Sequence, residues 1–337
     1  MDGIRSVAVR GAILVASFGI VWLLIATGVI GAYYEIIFAT ICINIILAVS
    51  LNLITGFTGQ FSLGHAGFMA LGAYTTALML LKFPNVWGFL GGVLLGAVIA
   101  AIMGVLIGVP TLRLKGDYLA IATLGMAEII RVLMMNFKFT NGAAGLNLPM
   151  TYSNWMWLFM FAVVSVILIA NFLHSSQGRN AIAVREDEIA AASIGVNVVK
   201  AKTMAFAVGA FFGGLAGGLY ASYFHVVIPD QFGFLRSVNI LVIVVLGGLG
   251  SLTGSVIAAT ALAILQNSLQ AFPEIQWIIY ALILVLVMIF RPQGLMGDRE
   301  LSLTVFRRLL PKRGAPPGNA PSATPTPAVV TEEVTPA

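Results

Sequence analysis

The chain has 337 residues, of which 59% are hydrophobic and 9% charged, and its mean hydropathy is +1.00. A water-soluble domain could not cover that much apolar surface. A net charge of +5 is compatible with nucleic acid, but the basic residues stand in loops and tails between apolar runs, the pattern of membrane topology, so no nucleic-acid partner is expected.

Apolar runs of roughly 20 residues recur, each able to cross a hydrocarbon core of about 30 Å. Backbone polar groups in lipid must be paired internally, so the expected class is an all-α, polytopic integral membrane protein. About ten transmembrane or re-entrant helices are predicted, in order Gly11–Gly31, Ile36–Ile54, Leu63–Leu81, Trp87–Val109, Tyr118–Met135, Trp155–Leu173, Thr203–Tyr223, Val238–Leu249, Thr253–Leu269 and Ile275–Phe290. The first reads as a retained helix, not a cleaved signal peptide. The eighth and ninth are short and joined by glycines, so eight full spans with two re-entrant segments is the alternative. Either count leaves the same sides facing the same compartments. Residues 1–300 form the membrane domain and 301–337 a cytoplasmic tail. The tail is rich in Pro, Ala and Thr from Pro311 onward, and is expected to be largely disordered.

Lys and Arg give the orientation. With Arg5 and Arg10 in the cytoplasm, the loop holding Arg113 and Lys115 falls inside. So do the 174–202 loop (Arg179, Arg185, Lys200, Lys202) and the C-terminus (Arg291, Arg299, Arg307, Arg308, Lys312, Arg313). The opposite loops hold only Lys82, Lys138 and Arg236, in agreement with the positive-inside rule. Both termini are therefore expected in the cytoplasm. Cys42, the single cysteine, reads as a small buried apolar residue.

The glycine-rich break "GFTGQFSLGHAG" (56–67) interrupts an apolar region. Gly59, Gln60, Ser62, Gly64 and His65 are candidates to border a translocation path, since irregular backbone at membrane depth is tolerated where it lines a cavity. Alternatively the glycines permit close helix packing, which is favoured for them. His65 has no second His or Cys at ligand spacing, so no metal site is expected. In the fifth span, Glu128 and Arg131 are three residues apart on one helix face and are read as a structural ion pair rather than a substrate contact.

Within the 174–202 loop, Arg185, Glu186, Asp187 and Glu188 precede "IAAASIG". Acids before and glycine after a short run predict a well-terminated helix at about Asp187–Ile194, too short to be stable alone. Its small residues, Ala190, Ala191, Ala192 and Ser193, would let it sink into a groove with the charges at the rim. A solvated connecting loop fits the shape equally well. The second glycine break, "LGGLGSLTG" (246–254), repeats the Gly-x-x-Gly spacing of the first. The polar loops "TNGAAGLNL" (140–148) and "HVVIPDQFGF" (225–234) fall on the far side. No Lys follows a Gly anywhere, so the chain lacks the usual phosphate-binding loop of an ATPase.

Five ordered blocks carry a resemblance. They are "LNLITGFTGQFSLGHAGFMALGAY" (51–74), "KGDYLAIATLGMAEIIR" (115–131), "GRNAIAVREDEIAAASIGVNVVKAKTMAF" (178–206), "VLGGLGSLTG" (245–254) and "RPQGLMG" (291–297). Together they resemble the LivM-type permease subunits of high-affinity branched-chain amino acid ABC importers. The third block resembles the cytoplasmic coupling loop of such permeases, with Glu188, Ala190, Ala191 and Gly195 at the pattern positions and Ile189 inserted. The resemblance implies an ABC importer permease fold in a bacterial inner membrane. It also implies a homologous second permease, two cytoplasmic ATPases that hold the ATP and Mg, and a periplasmic binding protein received by the polar far-side loops. The chain itself would bind no cofactor and do no covalent chemistry, with membrane lipid around it. A urea or short-amide importer permease is the nearest alternative, and a secondary transporter or channel a more distant one.

Overall fold

The computed structural model describes residues 31–111, 116–149, 152–270, 272–290 and 294–295. The first expected span up to residue 30, the basic residues Arg5, Arg10, Arg113 and Lys115, the basic C-terminus from Arg291 and the 301–337 tail lie outside the described residues.

The other nine expected spans are all helical: α1 (Ala32–Asn52), α2 (His65–Lys82), α3 (Val86–Thr111), α4 (Asp117–Asn136), α5 (Trp155–His174), α8 (Val198–Phe224), α9 (Phe234–Gly247), α10 (Leu252–Leu269) and α11 (Pro273–Phe290). Two short helices, α6 (Ser176–Glu186) and α7 (Glu188–Ser193), lie between α5 and α8. Seven segments among the described residues are long and apolar enough to cross a membrane. The protein is thus a polytopic all-α membrane protein.

Two boundaries moved for identifiable reasons. The seventh span begins at Val198 rather than Thr203, because Asn197 caps it by accepting from the Lys200 N–H at 2.9 Å. Hydropathy falls at Lys200 and Lys202, but the cap carries the helix past the apolar limit. The eighth begins at Phe234, ahead of the polar Arg236 and Ser237, and stops at Gly248, whose φ of +110° ends the helix. At 14 residues, α9 is only about 21 Å long.

The centre of the bundle is α1 with α2, α3 and α8. Ile46, Leu47 and Leu51 of α1 and Phe206 and Leu219 of α8 are fully buried. Apolar attraction cannot hold helices together in lipid, so contact depends on close packing of small residues. A Cβ at Gly72 of α2 would lie 1.8 Å from the Gly214 carbonyl oxygen of α8, and one at Gly217 would lie 1.9 Å from the Met69 carbonyl oxygen. Helices α2 and α8 therefore touch backbone to backbone. The outer face of α3 carries exposed Leu94, Ile102 and Leu106, as a lipid-facing surface does.

At the end remote from α7, the loops 140–148 and 225–234 meet. Leu146–Asn147 (β1) pairs antiparallel with Val226–Val227 (β2), with Leu146 opposite Val227. Arg131 of α4 then binds Glu128 at 2.7 Å and Asp230 at 2.9 Å, fastening the second loop to α4.

Candidate coupling and translocation site

The run Arg185–Glu188 is divided between two helices. Arg185 and Glu186 close α6, Asp187 caps α7, and Glu188 opens it. Asp187 Oδ1 accepts from the N–H groups of Ile189 at 2.7 Å and Ala190 at 3.0 Å. At the other end, Gly195 has φ +88°, its N–H donates to Ala192 O, and the Val196 N–H donates to Ala191 O, both at 3.0 Å. That pair of bonds is a Schellman cap, which needs the left-handed conformation that glycine adopts without penalty. A six-residue helix is thus terminated at both ends.

The face assignment differs from the sequence-based expectation. Ala191 does not lie on an outward small face. It is 4% exposed and packs against Val184 of α6 and Ala201 of α8. The outward surface instead carries Ile189 at 80% and Ile194 at 79% exposure, beside the exposed Ala190. Both isoleucines stand uncovered on an otherwise polar arm. Glu188 pairs with Lys202 at the start of α8, which ties the arm to that long central helix.

Arg185 is also placed otherwise than at a rim ahead of α7. Its side chain spans both glycine breaks, stem over the first and guanidinium over the second: a Cβ at Gly59 would sit 3.2 Å from Arg185 Cγ, and one at Gly250 3.0 Å from Arg185 Nη1. Both glycines have positive φ, +68° and +91°. The two breaks are neighbours, since a Cβ at Gly56 would sit 2.4 Å from the Gly250 nitrogen. Asn52 joins them. This fully buried residue donates to Ser251 O at 2.9 Å and Ser255 Oγ at 2.7 Å, and accepts from the Gly250 N–H at 2.9 Å. Just after it α1 continues into a π-helical turn, Leu53–Phe57, a distortion common at functional positions. Asn52 is not among the residues the sequence singles out, although a polar residue inside the apolar run "AVSLNLITG" is the usual sign of an interior contact.

Of the candidate path residues, Gly59 is exposed and Gln60, Ser62, Gly64 and His65 are enclosed by their own chain. Gln60, Ser62 and His65 are 2%, 1% and 0% exposed. Gln60 donates to Thr58 Oγ1 at 2.8 Å and Lys202 O at 3.2 Å, Ser62 Oγ accepts from the Gly64 N–H at 3.4 Å, and His65 Nε2 lies 2.8 Å from Ser50 Oγ. A Cβ at Gly64 would sit 2.5 Å from Thr123 O, so α2 begins pressed against α4. These bonds tie the break to α1 and α8, while Gln60 Oε1 and His65 Nδ1 are buried without a partner among the described residues. Among the described residues, no group of three His, Cys, Asp or Glu could hold a metal ion.

A charged arm is therefore locked by Glu188–Lys202 to a central helix and laid by Arg185 on two joined backbone breaks. Residues 33–290 match the family described as branched-chain amino acid transport system, permease component. The chain belongs to this family. The permease is 37% identical over 289 residues to the high-affinity branched-chain amino acid transport system permease protein LivM of Salmonella typhimurium, an alignment covering 75% of this chain and 68% of the relative. The Escherichia coli LivM protein gives the same identity and coverage. The permease is also 23% identical over 288 residues to the Escherichia coli permease protein LivH, covering 76% of this chain and 92% of that one. No solved structure matches it.

Proposed function

We propose that this chain is the membrane-spanning subunit of an ABC importer that moves branched-chain or other small amino acids into the cytoplasm. Its partners are a homologous second permease, two cytoplasmic ATPases that bind ATP and Mg, and a periplasmic binding protein. It lies in a bacterial inner membrane with the α6–α7 arm and both termini on the cytoplasmic side, and it performs no covalent chemistry itself. The observation that carries the reading is the arm, with a doubly capped helix presenting Ile189 and Ile194 outward while its base grips α8 and both glycine breaks. An ATPase groove closing on those isoleucines would displace α7. Glu188–Lys202 and Arg185 would pass the displacement to α8 and to the junction around Asn52, as alternating access requires. The paired loops of β1 and β2 at the opposite end suit docking of the binding protein.

The test is uptake in proteoliposomes holding the assembled complex and its binding protein. Radiolabelled leucine should accumulate only with ATP inside the compartment that the arm faces. The double substitution Ile189→Asp, Ile194→Asp should leave membrane insertion intact and abolish copurification of the ATPases. Transport driven by an ion gradient without ATP, or full ATPase retention by the double variant, would overturn the reading.

A further inference from the structure

The first turn of α9 carries a charge at membrane depth. The Arg236 guanidinium donates through Nη2 to Asn44 Oδ1 of α1 at 3.3 Å. Asn44 lies twelve residues into α1, about 18 Å from the start of a helix about 31 Å long. The next residue, Ser237, is 1% exposed and accepts from the Ala66 N–H at the start of α2 at 3.2 Å. The turn is thus set against α1 and α2 inside the bundle, whereas the sequence places Arg236 in a connecting loop.

No carboxylate meets this charge. None of the ion pairs among the described residues includes Arg236, and Asp230, the acid closest to it in sequence, binds Arg131 instead. The titratable group that acts on it electrostatically is a phenol, Tyr220 of α8. A guanidinium has five N–H donors, and the bond to Asn44 occupies one. The others have no partner among the described residues and are not sealed in, because Arg236 is only partly buried. Asn239, one turn along the same face of α9, is also partly buried, and its side chain makes no bond among the described residues. The helix itself sharpens the imbalance, since a cation in the first turn is opposed by the helix dipole and Gly233 supplies no side-chain cap. A charge held at such depth marks a substrate or ion pathway. Its sign and its unused fork of donors suit a carboxylate, which a guanidinium binds through two parallel bonds. The depth excludes a lipid phosphate, which stays at the edge of a hydrocarbon core about 30 Å thick.

We infer that Arg236, with Asn239 beside it, is an anion-binding site inside the membrane that takes the α-carboxylate of the cargo in transit. The choice of an amino acid as cargo rests on the importer reading above. The ammonium of that cargo would point away from the guanidinium, so the site reads the carboxylate and is indifferent to the aliphatic side chain.

The experiment measures equilibrium binding to the assembled complex of both permeases and the ATPases in lipid nanodiscs, without ATP and without the binding protein. The probes are L-leucine, 4-methylpentanoate, which lacks the ammonium, and L-leucinol, which lacks the carboxylate. Leucine and 4-methylpentanoate should saturate. Leucinol should bind at least about tenfold more weakly, the effect of losing a charge-assisted hydrogen bond. Arg236→Gln should weaken both carboxylates about tenfold and not weaken leucinol, and Arg236→Lys, which keeps the charge without the fork, should fall between. Asn239→Ala should weaken the carboxylates by a smaller factor. Equal binding of leucine and leucinol, no saturable binding of either carboxylate, or carboxylate binding unchanged by Arg236→Gln would overturn the inference. So would loss of the second permease from the Arg236→Gln complex with its recovery in Arg236→Glu paired with a reversed charge on that partner, which would make the arginine an interface residue. If Arg236→Gln does not elute as the unmodified complex does, Asn239→Ala and the three probes on the unmodified complex decide. ATP-driven leucine uptake is measured in parallel on the same preparation with binding protein added. Uptake without carboxylate discrimination sinks this site alone, whereas discrimination without uptake sinks the importer reading and leaves the anion site standing.

Discussion

Asn52→Ala removes the side chain that joins the two glycine breaks. Its amide makes one good bond to the Gly250 N–H and two to Ser251 O and Ser255 Oγ. The two losses differ in kind. Ser251 O keeps the Ser255 N–H and hydroxyl as donors, at 3.2 and 3.1 Å, so it is not orphaned. Gly250 loses the one partner its N–H has among the described residues, and leaving a polar group unsatisfied costs about 1–3 kcal/mol. Two further bonds at about 1 kcal/mol each bring the expected destabilisation to ~3 kcal/mol. In a domain of this size that lowers the melting temperature by roughly 6 °C or more. Cys42 supplies the assay, being the chain's single cysteine and 2% exposed. A maleimide dye that fluoresces on reacting with a thiol reports its exposure as purified protein is heated. Asn136→Ala, on an exposed residue that bonds only to its own helix at Val132 O, is the control and should melt within about 1 °C of the parent. If Asn52→Ala melts as the control does, the junction is a bystander and the route from arm to breaks through Asn52 is wrong.

Gly217→Val would drive a side chain into the Met69 carbonyl, and the backbone contact of α2 with α8 leaves no room to give. The yield of folded protein, read by size-exclusion in detergent, should collapse, and a normal yield would contradict that packing. At Gly195, where a Cβ meets nothing within 4 Å, the penalty comes from the backbone alone. ATPase copurification should therefore fall in the order Gly, Asn, Val, with Val costing on the order of 1–2 kcal/mol of arm stability while insertion stays normal. Equal copurification of all three would mean the α7 cap is immaterial to docking. In a Cys42→Ala background, an impermeant thiol reagent on intact cells should label Asn147→Cys and spare Ser193→Cys, both at exposed positions. The reverse pattern would invert the orientation.

Hydropathy alone located nine helices among the described residues, seven of them in segments long and apolar enough to cross a membrane, because each helix must satisfy its own backbone in lipid whatever surrounds it. Local cap chemistry likewise announced the arm, since Asp187 and Gly195 act on neighbours within four residues. What sequence could not convey was rotation about the axis and pairing across distance. Shifting a helical position by one residue turns it by about 100°, so which of three consecutive alanines faces inward depends on the neighbour. Val184 and Ala201 decided it in favour of Ala191 and left Ile189 outside. The two polar loops at the far end read as separate until β1 met β2. Asn52 and Gly250 are 198 positions apart, and Asn44 and Arg236 are 192 apart. Those meetings depend on how the helices pack, and glycines let α2, α3 and α8 approach to backbone contact. Composition and caps are properties of a segment, whereas a site built from several helix ends is a property of how closely the segments pack.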